Sequence, residues 1–313
     1  MRIGEFVDDG GLDLIQLLSL LWRGKLIISL TCVMFVVGAI IYALSLPNLY
    51  RSTIVLSPTE EVLGGGGLPS GLGGIASLAG IDLGSGQSSK LGIAIELLKS
   101  RGFATSWVAE HDLFVPLLAA KDWDPVENRL ILDAEVYDKS SGEWTEEYLS
   151  NNVSLEWDAF TKYQETVRVS LNEDTGFISV MVVHYSPYLA QEWAQSLVER
   201  VNRVCRQNDI EEAEESIGFL SEQLEATPLA DLRSVFYNLI EKQHETMMLA
   251  KVRDEYVFKT LDPAFLPELK FEPKRGLIVI VSALLGAAIG SMVVLLFAAL
   301  GPEANKKDVK KVS

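Results

Sequence analysis

Residues 277–300, "LIVIVSALLGAAIGSMVVLLFAAL", run for 24 positions without a charge, and residues 26–46, "LIISLTCVMFVVGAIIYALSL", do the same for 21. As helices rising about 1.5 Å per residue they would reach roughly 36 and 31 Å, enough to cross a hydrocarbon core about 30 Å thick. A buried core helix seldom holds so many wholly apolar residues, so both runs read as membrane spans. The first is not a cleavable leader. It follows 25 residues carrying four acids and ends without a small-residue cleavage site.

The composition agrees with that segregation: the chain is 48% hydrophobic, yet its net charge is −16. Arg23 and Lys25 precede the first span, and Lys306, Lys307, Lys310 and Lys311 follow the second. The excess of lysine and arginine on cytoplasmic flanks then places both termini in the cytoplasm, against the opposing pair Lys274 and Arg275. The organisation predicted is a cytoplasmic segment 1–25, spans 26–46 and 277–300, an extracytoplasmic domain 47–273 and a tail 301–313. Removing the −1 of residues 1–25 (three bases, four acids) and the +4 of residues 274–313 (six bases, two acids) leaves −19 on residues 26–273. So acidic a segment argues against nucleic acid, whose phosphates need clustered lysine and arginine.

The domain reads as α+β, a small mixed sheet with a long helical hairpin. "YRSTIVLSP" (50–58), "VSLEW" (153–157), "TVRVSL" (166–171) and "FISVMVVHY" (177–185) have strand patterns, with "NEDTG" (172–176) as a hairpin turn. Residues 64–89 form a Gly- and Ser-rich loop without the Lys-Ser or Lys-Thr pair that a phosphate-cradling loop requires. Ile93, Leu97, Leu98, Phe103 and Trp107 recur with helical spacing over 90–113. Ser186-Pro187 and Thr227-Pro228 each pair a capping residue with proline at the first helical position, which brackets helices of about 187–226 and 229–258. In the first, the stripe Ala190, Ala194, Leu197, Val201 and Val204 fades and resumes at Ile217, Leu220 and Leu224. The second offers Leu229, Leu232, Phe236, Leu239, Met247 and Ala250. An interrupted stripe that meets a returning partner predicts a hairpin projecting from a compact base; the alternative is two ordinary helices folded back on a globule.

Between that hairpin and the second span, Pro263, Pro267 and Pro273 fix φ and disfavour helix in the residue before each. Residues 262–273 then form a stiff extended strut that stops the preceding helix from fusing with the span, with Lys274 and Arg275 at the headgroups. Inside the span, Gly286 and Gly290 stand four apart beside Ala283 and Ala287. Small residues at that spacing allow close helix approach, to the first span or to a partner in the membrane.

"ELLKSRGFA" (96–104), "HYSPYLAQEWAQSLVERVN" (184–202) and above all "MLAKVRDEYVFKTLDPAFLPELKFEPKRGLIVI" (248–280) resemble the chain-length determinant (Wzz) family of polysaccharide co-polymerases. The similarity covers nearly the whole chain, and its LKSR stretch is shared with related exopolysaccharide proteins. The resemblance implies a bacterial inner-membrane protein with a periplasmic domain, forming a ring-like homo-oligomer that sets the modal length of O-antigen or a similar lipid-linked glycan. Its implied partners are its own copies, the O-antigen polymerase, the nascent lipid-linked polysaccharide and membrane lipids. On that resemblance the proline strut becomes a relay between membrane and ring; the alternative is a passive linker. A competing function is an export adaptor for exopolysaccharide or capsule that works with a separate tyrosine kinase.

Chemistry finds little footing. His111, His184 and His244 are scattered, Cys32 and Cys205 show no metal or disulfide spacing, and Glu211, Glu212, Glu214 and Glu215 span one solvated turn. No G-x-S-x-G or nucleophile–base pattern occurs. The expectation is a non-enzymatic protein without cofactor or metal.

Overall fold

The computed structural model describes residues 21–59, 85–151 and 154–300. In chain order the elements are α1 (Lys25–Ser45), β1 (Tyr50–Pro58), α2 (Ser85–Lys99), α3 (Arg101–Glu110), α4 (Phe114–Leu118), β2 (Ala120–Asp124), β3 (Arg129–Leu132), β4 (Tyr137–Asp138) and β5 (Glu143–Trp144). They continue with α5 (Glu146–Asn151), α6 (Leu155–Thr166), β6 (Val167–Leu171), β7 (Ile178–His184), α7 (Pro187–Ala226), α8 (Ala230–Val252), β8 (Phe258–Asp262) and α9 (Arg275–Leu300). The chain divides into two compact units, residues 1–47 with 272–313 and residues 48–271.

The first unit is the pair α1 and α9, both long and apolar enough to span a bilayer. Helix α1 stops where Leu46 turns extended (φ −76°, ψ 133°) ahead of Pro47, the conformation that a following proline imposes.

The second unit is built on a four-stranded sheet of order β6-β7-β1-β8. Every neighbouring pair in it is antiparallel, so the mixture is of helix with sheet and not of strand directions. Tyr50 faces His184 and Leu56 faces Ile178 across the β1–β7 pair. Alternation then turns Ser52, Ile54 and Leu56 to the same buried side as Ile178, Val180, Val182 and His184. Residues of α2, α3, α6 and the first half of α7 complete that core. At its centre Trp107 and Trp193 meet edge to face, ring centroids 5.5 Å apart. The Trp107 indole donates to Ser196 Oγ at 3.0 Å, and the Tyr163 hydroxyl donates to Leu98 O at 2.6 Å. The large aromatic area is thereby buried without stranding those polar ends.

Several expectations need correction. "VSLEW" is not a strand: Ser154 accepts from Trp157 N at 3.2 Å and caps α6, whose first turn holds Glu156 and Asp158, favourable at a helix N-terminus. The helical stretch 90–113 is broken at Ser100, which caps α3 by accepting from Phe103 N, and Ile93 is exposed. Of the Gly-rich stretch, 64–84 lies outside the described residues, whereas 85–89 is already in α2. Thr227 closes α7, its hydroxyl donating to Gln223 O at 2.7 Å, and does not open α8. Helix α8 ends at Val252, and Phe258 begins β8 instead of ending a helix. Phe258 is fully buried, and tertiary packing outweighs the helical pattern that precedes it. Pro263 thus follows a strand, and the proline segment separates β8, not a helix, from α9.

Candidate functional site

The seam between α1 and α9 comes first. A Cβ added at Gly286 would lie 2.9 Å from Cys32 Cα and 3.0 Å from Phe35 Cβ; one added at Gly290 would lie 2.9 Å from Ile28 Cα and against Thr31 Oγ1. Both glycines therefore face α1, and their missing side chains let the helices touch backbone to backbone. Thr31 Oγ1 donates to Gly286 O at 3.2 Å, and Cys32 Sγ approaches Ala283 O at 3.5 Å. Ala287 lies beside Cys32 and Ile28 in a groove along the same pair. Gly24, not singled out from sequence, is a third close approach: its Cβ would meet Val294 at 2.5 Å. The Thr31 hydroxyl also lies 2.9 Å from Ile28 O, so its single proton goes to one carbonyl or the other and stays satisfied in an apolar setting.

The hairpin is a second feature. Ten α7 side chains are buried, all but one of them between Pro187 and Asn202, and Ala213 is the last; in α8 only Ala250 is. Beyond Ala213 the two helices cover each other incompletely. Ile217, Leu220 and Leu224 are half-buried on α7, and Phe236, Ile240, Gln243 and Met247 on α8. The expected α8 stripe is therefore partly wrong: Leu229, Leu232 and Leu239 are exposed, and Ile240 with Gln243 takes their place at alternating three- and four-residue spacing. Lys251 and Glu214 bridge the helices at 3.5 Å.

The proline segment is anchored over its first half. Ser52 Oγ donates to Phe265 O at 2.9 Å, and Gln191 Nε2 donates to Ala264 O at 2.8 Å. Pro263 is exposed and Pro267 half-buried, but the backbone between them is held to β1 and α7. Pro273 and the exposed Lys274 belong to the other unit, where Arg275 donates to Leu46 O at 3.4 Å. Upstream, the buried Asn202 of α7 accepts from Val257 N and Phe258 N and donates to Phe258 O, each at 2.9 Å. One amide side chain thus serves as a hydrogen-bonding edge for the return into β8. The sequence did carry a signal: a polar residue on the buried face of α7, next to Val201.

The histidines and cysteines named from the sequence lie apart among the described residues. His184 is enclosed, with Nε2 3.0 Å from Pro116 O and Nδ1 accepting from Ser186 N at 3.1 Å, which fixes the neutral Nε2–H tautomer. Burial, above all, lowers its pKa to about 4. Burial and then Asp209 push the Cys205 thiol up to about 11, which makes it a packing residue and not a nucleophile. Glu211, Glu212, Glu214 and Glu215 are exposed. Among the described residues no three histidine, cysteine or acidic side chains gather as a metal site would need.

Residues 10–111 match the family model of Wzz, the chain length determinant protein. Among solved structures, the chain is similar to a full-length bacterial polysaccharide co-polymerase at 15% identity and a TM-score of 0.40, covering 94% of this chain and 100% of that one. It is also similar to a fragment of WzzB, a polysaccharide co-polymerase from Salmonella Typhimurium, at 15% identity and a TM-score of 0.28, covering 72% and 100% respectively. No curated protein matches.

Proposed function

We propose that this chain, of the Wzz type over residues 10–111, is a non-enzymatic regulator of polysaccharide chain length at the bacterial inner membrane. In this reading it works as a homo-oligomer with a polymerase that extends a lipid-linked glycan, O-antigen being the leading candidate. The observation that carries the proposal is the family match itself, which runs from the first span through β1 and into α3. Support comes from the architecture: two apolar helices, a sheet-based unit between them and a hairpin bearing exposed apolar side chains. Both termini are placed in the cytoplasm and the 48–271 unit in the periplasm, on the lysine and arginine flanks of the spans.

The mechanism needs no chemistry of its own. Subunits that stand side by side would hold the polymerase and its growing product in a fixed arrangement, and the modal length would be a property of that assembly. A glycan ladder on a gel tests this in cells with and without the gene, and with Gly286→Leu/Gly290→Leu or Pro267→Ala/Pro273→Ala at matched expression. The expected result is a lost modal length on deletion and a shifted or broadened one in each double variant. An unchanged ladder on deletion overturns the function. Loss of all surface polysaccharide together with altered tyrosine phosphorylation of a kinase would favour the export-adaptor role instead.

A further inference from the structure

Phe265, Leu266 and Leu269 are 63%, 40% and 84% exposed, although the backbone that carries them is tied down through Ala264 O and Phe265 O. A tethered segment that turns three large apolar side chains outward has lost the freedom to bury them, so something other than water is expected to cover them. The neighbouring groups show what. Phe271 N donates to Leu49 O at 2.7 Å, and Arg51 lies over the Phe271 ring at 4.5 Å, so the segment runs along the start of β1. Tyr50, at the same end of β1, meets Trp123 edge to face at 5.7 Å, and Trp123 meets Tyr188 in the first turn of α7 at 6.1 Å. Val126, in the turn after Trp123, is 91% exposed. Aromatic rings with polar tips beside outward aliphatic side chains are the composition of a membrane–water boundary.

Covalent connection limits the distance. Only Leu46, Pro47, Asn48 and Leu49 separate the end of α1 from Tyr50, and three residues separate Phe271 from Arg275 at the start of α9. Such tethers extend to roughly 17 Å at most. We propose that this face of the 48–271 unit, with Phe265, Leu266 and Leu269 at its centre, inserts into the headgroup boundary of the lipid bilayer and seats the unit on the membrane. Its occupant is lipid. The flanking charges divide almost evenly, Lys270, Lys274 and Arg275 against Glu268 and Glu272, so insertion is apolar and not an attraction to anionic lipid. The proposal rests on α1 and α9 being spans, and its test separates the two claims.

The full chain with Cys32→Ser and Cys205→Ser is reconstituted in vesicles, with a single cysteine at Leu269 or Phe265 labelled by an environment-sensitive fluorophore. Leu285, exposed on α9, and Leu239, exposed on α8, are labelled as controls. The Leu269 and Phe265 labels should emit to the blue and lose most of their intensity to quenchers attached near the lipid headgroup. The effect should be the same in zwitterionic and anionic vesicles, and the Leu239 label should answer only to aqueous iodide. Strong iodide quenching at Leu269 and Phe265 overturns the proposal, as does protection from both quenchers, which would mean a covering protein. Insertion that appears only with anionic lipid overturns its apolar basis. If Leu285, about 15 Å along α9, also escapes quenchers attached deep on the acyl chains, the membrane reading itself fails; if Leu285 alone is quenched by lipid, only this proposal does.

Discussion

Replacing Gly286 and Gly290 by alanine tests the span seam with the smallest possible change. The added carbons would sit 2.9 Å from Cys32 Cα and 2.9 Å from Ile28 Cα, both backbone atoms that cannot rotate away. Carbon pairs rest at about 3.5–4.0 Å, so α1 must retreat by about 0.6–1.1 Å. A gap of that size forfeits about a quarter to a half of the dispersion energy along the seam. It also takes Gly286 O out of reach of the Thr31 hydroxyl, whose single proton then goes to Ile28 O, so this loss is at most about 0.6 kcal/mol. The packing and hydrogen-bond cost expected is about 1–2 kcal/mol. Alanine also favours helix over glycine by up to about 1 kcal/mol per site, up to about 2 kcal/mol for the pair, which offsets the packing loss. Gly38→Ala measures that gain, since nothing lies within 4 Å of its added carbon. Energy transfer between labels on α1 and α9, followed through an SDS titration of the full chain, should show the double variant's midpoint falling short of the parent's midpoint raised by twice the Gly38→Ala shift. A double variant that reaches that doubled shift would refute the close-packed seam.

Asn202→Ala removes three buried hydrogen bonds worth about 1 kcal/mol each and strands the groups it served, so a loss of about 3–4 kcal/mol is expected, seen as a lower midpoint in near-ultraviolet thermal melts. Because the folded pKa of His184 lies near 4 against an ordinary 6.5, the unfolded chain takes up the proton first. Stability should therefore fall by about 3 kcal/mol as pH drops from about 6.5 to 4, and His184→Gln should flatten that slope in denaturant titrations across the range. Single cysteines at Ser141 and Ser313, in the Cys32→Ser, Cys205→Ser background, should differ in intact spheroplasts: an impermeant maleimide should label the first and spare the second.

What was legible in the sequence was whatever local periodicity or local capping determines. The two long apolar helices, β1, the β6–β7 hairpin with Gly176 at φ 71°, and the Ser186-Pro187 start of α7 all depend on neighbours within a few residues. The misread elements depend on distant partners. Phe258 enters a strand because Asn202, 56 positions away, supplies a hydrogen-bonding edge, and Leu239 leaves the predicted stripe because Ile240 is the residue that turns toward α7. "VSLEW" was a contest between strand propensity and one serine cap, and the cap prevailed. At the seam, small-residue spacing showed that Gly286 and Gly290 permit close approach, but it could not say to which helix, and it missed Gly24, which has no small neighbour four residues away.

Helix α7 gives these separate features a common physical frame. It runs unbroken for 40 residues, about 60 Å at 1.5 Å per residue, from Ser186 beside the sheet to Thr227 at the hairpin turn. Along its base it carries Tyr188 in the aromatic group, Gln191 on Ala264 and Asn202 on β8. Along its far half it carries the incompletely covered face opposite α8. A neighbouring copy that gripped the exposed Phe219 would therefore bear on the same rigid element that fixes the proline segment, with no loop between to absorb the strain. An assembly made through the α7 face of the hairpin and the proposed contact of the Phe265–Leu269 face would then be two loads on one helix. That is the physical content that a relay between oligomer and membrane requires.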